Sequence, residues 1–218
     1  MDLKVCFMKT KTLLMSAAAF LSFGNIAFAG DSELCASEFA QGAYESAFRY
    51  CEKACSKDDG RGCTRLGRLY YNGRGVKQDY QQAKTYYEKA CSKDDGEGCA
   101  ELGALHFGGL GVKQDYQQAK TYLEKSCSQN YGLGCALLGG LYDEGFGVKQ
   151  DYQQAITYYE KACSLNDGYG CTMLGALYDN GDGVKQDYQQ AKTYYEKACD
   201  MGEQSSCDDY RKLNEQGY

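Results

Sequence analysis

The feature that most limits how this chain folds is a repeat of 36 residues that runs through most of it. The string Asp79-Tyr80-Gln81-Gln82-Ala83 returns at Asp115, Asp151 and Asp187. Leu66-Gly67 returns at Leu102-Gly103, Leu138-Gly139 and Leu174-Gly175. A unit this short cannot enclose an apolar core, so its buried face is completed by the next unit and the architecture is a stacked array. Each period reads as two helices. The first is expected from about Cys63 to Tyr71, with Leu66, Leu69 and Tyr70 at helical spacing and Gly73 and Gly75 ending it. The second is expected to open at Asp79, an N-cap with Gln82 three residues on to complete a capping box. Ala83, Tyr86, Tyr87 and Ala90 then form one apolar stripe. Gly67 is expected to let its helix approach Ala83 while the tyrosines fill the gaps, and Asp58-Asp59-Gly60 turns the chain into the next pair.

These patterns predict an all-α fold, a right-handed α/α superhelix (solenoid) of disulfide-linked helix pairs. Residues 30–61 read as an atypical first pair, because Tyr44, Ala47 and Cys55 keep the register of Tyr80, Ala83 and Cys91 behind a shorter loop. Four full repeats occupy 62–205. A capping helix follows in 206–218, with Asp208, Asp209, Arg211 and Lys212 facing water.

Residues 1–29 read as a secretory signal peptide. Lys9 and Lys11 precede an apolar run from Leu13 to Phe23, and Ala27-Phe28-Ala29 supplies a cleavage site before Gly30. Met8 offers an alternative start. The run is too short and too interrupted, by Ser22, Gly24 and Asn25, for a membrane anchor, and nothing after Gly30 is apolar enough to cross one. A secreted or periplasmic location is expected, and a monomer. Removing Asp2, Lys4, Lys9 and Lys11 leaves 21 basic and 29 acidic side chains, a net charge of −8. Such a protein repels phosphate backbones, so no nucleic-acid partner is expected.

Thirteen cysteines also point outside the reducing cytoplasm. Cys6 falls in the leader. Cys55/Cys63, Cys91/Cys99, Cys127/Cys135, Cys163/Cys171 and Cys199/Cys207 are each eight apart and join the end of one second helix to the start of the next first helix. Equivalent cysteines of successive repeats would lie about 10 Å apart, too far to bridge. Cys35 and Cys51 face each other across the first pair. Six bridges therefore use all twelve remaining thiols. Zinc sites prefer closer cysteines with histidine, so no metal and no cofactor is expected.

The placing of Leu66, Gly67, Tyr70, Ala83, Tyr87 and Ala90 resembles the tetratricopeptide signature. The period of 36, against ~34 for that motif, and the extra residues around Gly73 to Lys77 resemble the Sel1-like repeat. The cysteines within Tyr-Tyr-Glu-Lys-Ala-Cys-Ser and Gly-x-Gly-Cys resemble the Helicobacter cysteine-rich protein family. That resemblance implies a secreted bacterial protein exposed to host cells, and members assigned as penicillin-binding proteins or β-lactamases.

The residues themselves show no catalytic constellation. Ser-x-x-Lys and Lys-Thr-Gly are missing after Gly30, and Lys84-Thr85 is followed by Tyr86 within a helix. The single histidine, His106, takes the place of Tyr70, Tyr142 and Tyr178 and is read as a packing residue. By analogy with tetratricopeptide arrays, the groove-facing positions are Arg61, Thr64, Arg68 and Tyr71, then Glu97, Ala100, Ala104 and Phe107, then Leu133, Ala136, Gly140 and Asp143, then Tyr169, Thr172, Ala176 and Asp179. These vary while their neighbours repeat. The expected site is a concave groove with Arg61, Arg68 and Arg74 around Tyr71 at one end, Phe107 between, and Asp143, Glu144, Asp179 and Asp182 at the other. The expected ligand is a peptide, a cell-wall (peptidoglycan) fragment or a host protein. The alternative, carried by the resemblance alone, is a β-lactam-binding protein or slow β-lactamase.

Overall fold

A computed structural model describes residues 30–218; the signal-peptide reading of 1–29 lies outside the described residues. Within them the chain forms eleven α-helices and no strand. The first pair is α1 (Asp31–Ala40) and α2 (Tyr44–Ser56). Four equivalent pairs follow: α3 (Gly60–Asn72) with α4 (Tyr80–Ser92), α5 (Gly96–Gly108) with α6 (Tyr116–Ser128), α7 (Gly132–Glu144) with α8 (Tyr152–Ser164), and α9 (Gly168–Asn180) with α10 (Tyr188–Asp200). The terminal helix is α11 (Gln204–Glu215). Each helix packs on its neighbours in sequence, and first helices of successive pairs approach each other more closely than second helices do. The array is thus a right-handed α/α superhelix with odd-numbered helices on its concave side.

The first helices begin three residues earlier than the apolar spacing predicts. Asp59 caps α3 by accepting from the Arg61 N–H, and Asp95 and Asp167 cap α5 and α9 through the N–H groups of Gly98 and Gly170. The preceding Asp58, Asp94, Asn130 and Asn166 sit at φ 64°, 57°, 57° and 61°, a region these short polar side chains tolerate. At the second helices Asp79 accepts from Gln81 and Gln82. The capping box is only half made, because the Asp79 N–H donates to the Tyr70 carbonyl at 2.9 Å. The same bond joins Asp115 to His106, Asp151 to Tyr142 and Asp187 to Tyr178. A tertiary acceptor, the open C-terminus of the preceding helix, has taken the donor that the Gln side chain would have satisfied.

Packing corrects one expectation. A Cβ on Gly67 would stand 2.5 Å from the Tyr87 ring, so the glycine makes room for Tyr87 rather than for Ala83. Gly139 and Gly175 yield in the same way to Tyr159 and Tyr195. A second set of rings stacks within each pair, Tyr70 on Tyr86, Tyr142 on Tyr158 and Tyr178 on Tyr194, with His106 on Tyr122 in the tyrosine's place at 5.4 Å.

Neighbouring pairs are joined in two ways. Lys89 donates to the Cys55 carbonyl at 2.6 Å, Lys125 to Cys91 at 2.7 Å, Lys161 to Cys127 at 2.8 Å and Lys197 to Cys163 at 3.2 Å. Each ammonium closes the last turn of the previous second helix, where cations are favoured. The disulfides Cys55–Cys63, Cys91–Cys99, Cys127–Cys135, Cys163–Cys171 and Cys199–Cys207 span the turns between pairs, with Cα atoms 4.5–4.7 Å apart. Cys35–Cys51 closes the first pair.

Candidate functional site

The positions expected to face the groove separate into rows. Thr64, Ala100 and Ala136 are buried. The Thr64 hydroxyl donates to Asp95 at 2.7 Å, so this row is the seam between first helices and not groove surface.

The basic end of the expected groove does not form. Arg68 donates through Nε at 2.7 Å and Nη2 at 2.6 Å to Glu101, and pairs with Glu97 through Nη1. Burial disfavours its charge, but Glu101 and Glu97 outweigh that and hold its pKa above the ordinary value. The Glu97 carboxyl is itself raised, because burial outweighs the attraction of Arg68. Arg68 therefore stitches α3 to α5 and has no guanidinium edge left for a ligand carboxylate. The Arg74 guanidinium lies 5.2 Å over the Tyr44 ring and bonds its hydroxyl, away from Arg68. Arg61 is exposed and borders a polar depression with Arg65, Asp94 and Asp95. Tyr71 packs edge-on against Tyr80, at 5.3 Å.

Two of the carboxylates expected at the other end, Asp143 and Asp179, have hydroxyl partners instead of cations. Asp143 is 9% exposed and accepts from the Tyr159 hydroxyl at 3.1 Å. Asp179 accepts from the Tyr195 hydroxyl at 3.5 Å. Burial raises the Asp143 carboxyl above its usual range, and Glu144 and Asp182 add repulsion against the Tyr159 bond. Asp143, Glu144, Asp179 and Asp182 make no salt bridge among the described residues.

Between these ends lies the feature that the sequence reading missed. The tyrosine that passes under the conserved-spacing glycine in the other full repeats, Tyr87, Tyr159 or Tyr195, is Leu123 in the second one. Sixteen residues earlier stand Tyr71, Phe107, Asp143 and Asp179 in the four full repeats, and only the two aspartates bond the tyrosine. Leu123 is shorter than tyrosine, and Ala104 and Gly140 stand above it where Arg68 stands in the first full repeat. The result is an apolar cleft of ≈ 260 Å³ between α5, α7 and α9, floored by Leu123 and walled by Phe107, Leu137, Phe146 and Tyr169. Phe107 (37% exposed), Phe146 (37%) and Tyr169 (40%) line it, three of the five exposed large apolar side chains among the described residues. The Phe107, Tyr116 and Phe146 rings pack mutually at 5.3–5.4 Å, which holds this wall in place. The signal was available as a single departure, Leu123, inside a stripe read only as core.

The elements weighed for β-lactam chemistry sit elsewhere. Lys84 pairs with Glu88 at 2.8 Å and Thr85 donates to the Gln81 carbonyl, both along α4 on the convex side. His106 is stacked on Tyr122, and burial, with Lys84 adding repulsion, holds its pKa below the ordinary value.

A family model for the Sel1 repeat matches residues 42–59, 60–95, 96–131, 132–167 and 168–203. The chain belongs to the Sel1 repeat family. No curated protein matches it. Among solved structures it is similar to a Sel1 repeat protein from Oxalobacter formigenes, at 29% identity and TM-score 0.76 over 83% of this chain and 74% of that one. It is also similar to c5321, a protective antigen of uropathogenic Escherichia coli displaying an SLR fold, at 25% identity and TM-score 0.70 over 80% of this chain and 38% of the other. Helicobacter pylori cysteine rich protein B shows 39% identity over 60% of this chain and 94% of that one, with a TM-score of 0.49. Sel1 repeats are generally protein-interaction scaffolds, and this Sel1 protein presents its apolar cleft on the concave face where first helices meet.

Proposed function

We propose that this Sel1 repeat protein works outside the cytoplasm as an interaction scaffold, holding an extended segment of a partner protein along its concave face with one apolar side chain in the Leu123 cleft. The observation that carries this reading is the clustering of exposed Phe107, Phe146 and Tyr169 around a preformed opening. A surface of this kind marks an interaction site. Its volume of ≈ 260 Å³ lies below the roughly 300–1,000 Å³ typical of small-molecule sites and suits one or two protein side chains better than a whole β-lactam. The six disulfides and the leader-like residues 1–29 support export, with the mature chain starting at Gly30.

A photo-crosslinking residue placed at Ala104 tests the reading. It should label a partner in the native envelope or medium, the same residue at convex Lys84 should not, and Leu123→Tyr should abolish the adduct by filling the cleft. Labelling from Lys84 alone, or labelling at Ala104 that is indifferent to Leu123→Tyr, would overturn it. Turnover of a chromogenic β-lactam by the oxidised protein, lost on one serine substitution, would favour the hydrolase instead.

A further inference from the structure

The cleft and the acidic end of the concave face adjoin. Glu144 lines the cleft itself, one residue from Asp143, and Tyr169 closes the same side. Asp143, Glu144 and Asp167 all repel ionisation of the Tyr169 hydroxyl, whose burial already raises it. Asp143 likewise feels both Glu144 and Asp182. The one side chain that bonds the Asp143 carboxylate, the Tyr159 hydroxyl, is neutral, and no cation of the described residues pairs with any member of this group. The contrast with the N-terminal half is sharp. There the carboxylates of Glu97 and Glu101 are closed by Arg68.

Resting on the scaffold reading above, we propose that the Leu123 cleft and the Asp143–Glu144–Asp182 group form one bipartite docking site. Its occupant is an extended segment of a partner protein that carries a bulky apolar anchor beside a lysine or arginine. The anchor fills a space that Ala104 and Gly140 leave open above Leu123. The basic side chain meets carboxylates that are crowded, partly desolvated and without a cation. Unlike charge placed there relieves repulsion that the free protein retains, whereas an acidic flank adds to it. A second copy of this acidic chain, at net −8 after leader removal, is a poorer match for the same surface.

The experiment pans a random-peptide phage library against the immobilised, oxidised exported protein, then measures synthetic copies of the enriched peptides by fluorescence anisotropy. Enriched sequences should place Leu, Met or an aromatic residue within three positions of Lys or Arg. Leu123→Tyr should weaken binding at least about tenfold, the scale of losing a buried anchor. This variant restores the residue found at Tyr87, Tyr159 and Tyr195, with Gly103 opposite it as Gly67 is opposite Tyr87, so the fold accommodates it. The double variant Glu144→Gln/Asp182→Asn should weaken binding roughly threefold at low salt, with the difference fading as salt rises. Peptides that keep the anchor and respond to Leu123→Tyr, but carry neutral or acidic flanks and ignore the charge variant, would overturn the bipartite site and leave the scaffold reading standing. Enriched peptides indifferent to Leu123→Tyr, or a library that yields no enriched sequence, would overturn both. A dimer in sedimentation that Leu123→Tyr dissociates would replace the peptide with a second copy.

Discussion

Gly139 and Gly140 are adjacent in α7 yet answer to different constraints. A Cβ on Gly139 would stand 2.7 Å from the Tyr159 ring, whereas one on Gly140 meets nothing nearer than the Tyr159 hydroxyl at 3.7 Å. Gly139→Ala should therefore cost about 2 kcal/mol through overpacking. Gly140→Ala should stabilise by up to about 1 kcal/mol, since alanine is the better helix former. Urea denaturation of the two variants separates these outcomes. His106 gives a second residue-scale expectation. Neither ring nitrogen has a hydrogen-bond partner among the described residues, and burial lowers the pKa from its ordinary 6.5. The unfolded chain then binds more protons than the folded one as pH falls below 6.5, so stability is lost in that direction. His106→Tyr completes the ring ladder and should leave the variant more stable than the parent at pH 5, with the gap narrowing at pH 8, by thermal melts across that range. An unchanged gap would show that His106 has the same proton affinity in the folded and unfolded states.

At the scale of elements, helix ends carry the connectivity. In the four full repeats second helices begin on an Asp side chain, and α2, α4, α6 and α8 each end on a lysine from the next pair, while the first helices of those repeats end on a left-handed glycine whose loop is held by the following glutamine: Gln78 donates to the Tyr71 carbonyl and Gln114 to Phe107, each at 2.8 Å. The short-turn disulfides add about 2.5 kcal/mol each by chain-entropy reasoning. Their effect depends on position, because each links two neighbouring units. Cys91→Ser/Cys99→Ser should lower the thermal midpoint by several degrees and loosen helices on both sides. Cys199→Ser/Cys207→Ser should release mainly α11. Hydrogen exchange resolved by helix distinguishes the two patterns.

For the whole molecule, the end of the array matters as much as its middle. Leu213 is 3% exposed and packs with Tyr195 and Ala191, with Tyr210 and Tyr188 beside them. Deleting residues 204–218 uncovers that surface and leaves Cys199 unpaired. The truncated chain should self-associate and lose exchange protection in α10 first. Retention of the parent's association state and melting curve would show that α11 is not a cap. The concave face also divides along its length: closed by Arg68 near the first pairs, apolar at Leu123, acidic beyond Asp143. The proposed partner segment would span the apolar and acidic parts, so its binding should depend on the array staying rigid across α5, α7 and α9.

The repeat period, the Asp and Gly helix ends and the eight-residue cysteine spacing determined the architecture, because each is a local signal repeated until the register is unmistakable. So was the packing place of His106, which follows from its tyrosine equivalents. The site was legible only in part. The departures at Phe107, Asp143 and Asp179 were visible from their spacing, but Arg68 and the cleft were decided by tertiary structure. Glu101 stands 33 residues from the arginine that it neutralises, and Leu123, Ala104 and Gly140 sit on three helices. Spacing within one helix reports which side chains share a face. Whether a charge is satisfied, or a shortened side chain leaves space, depends on what the neighbouring repeat brings against it.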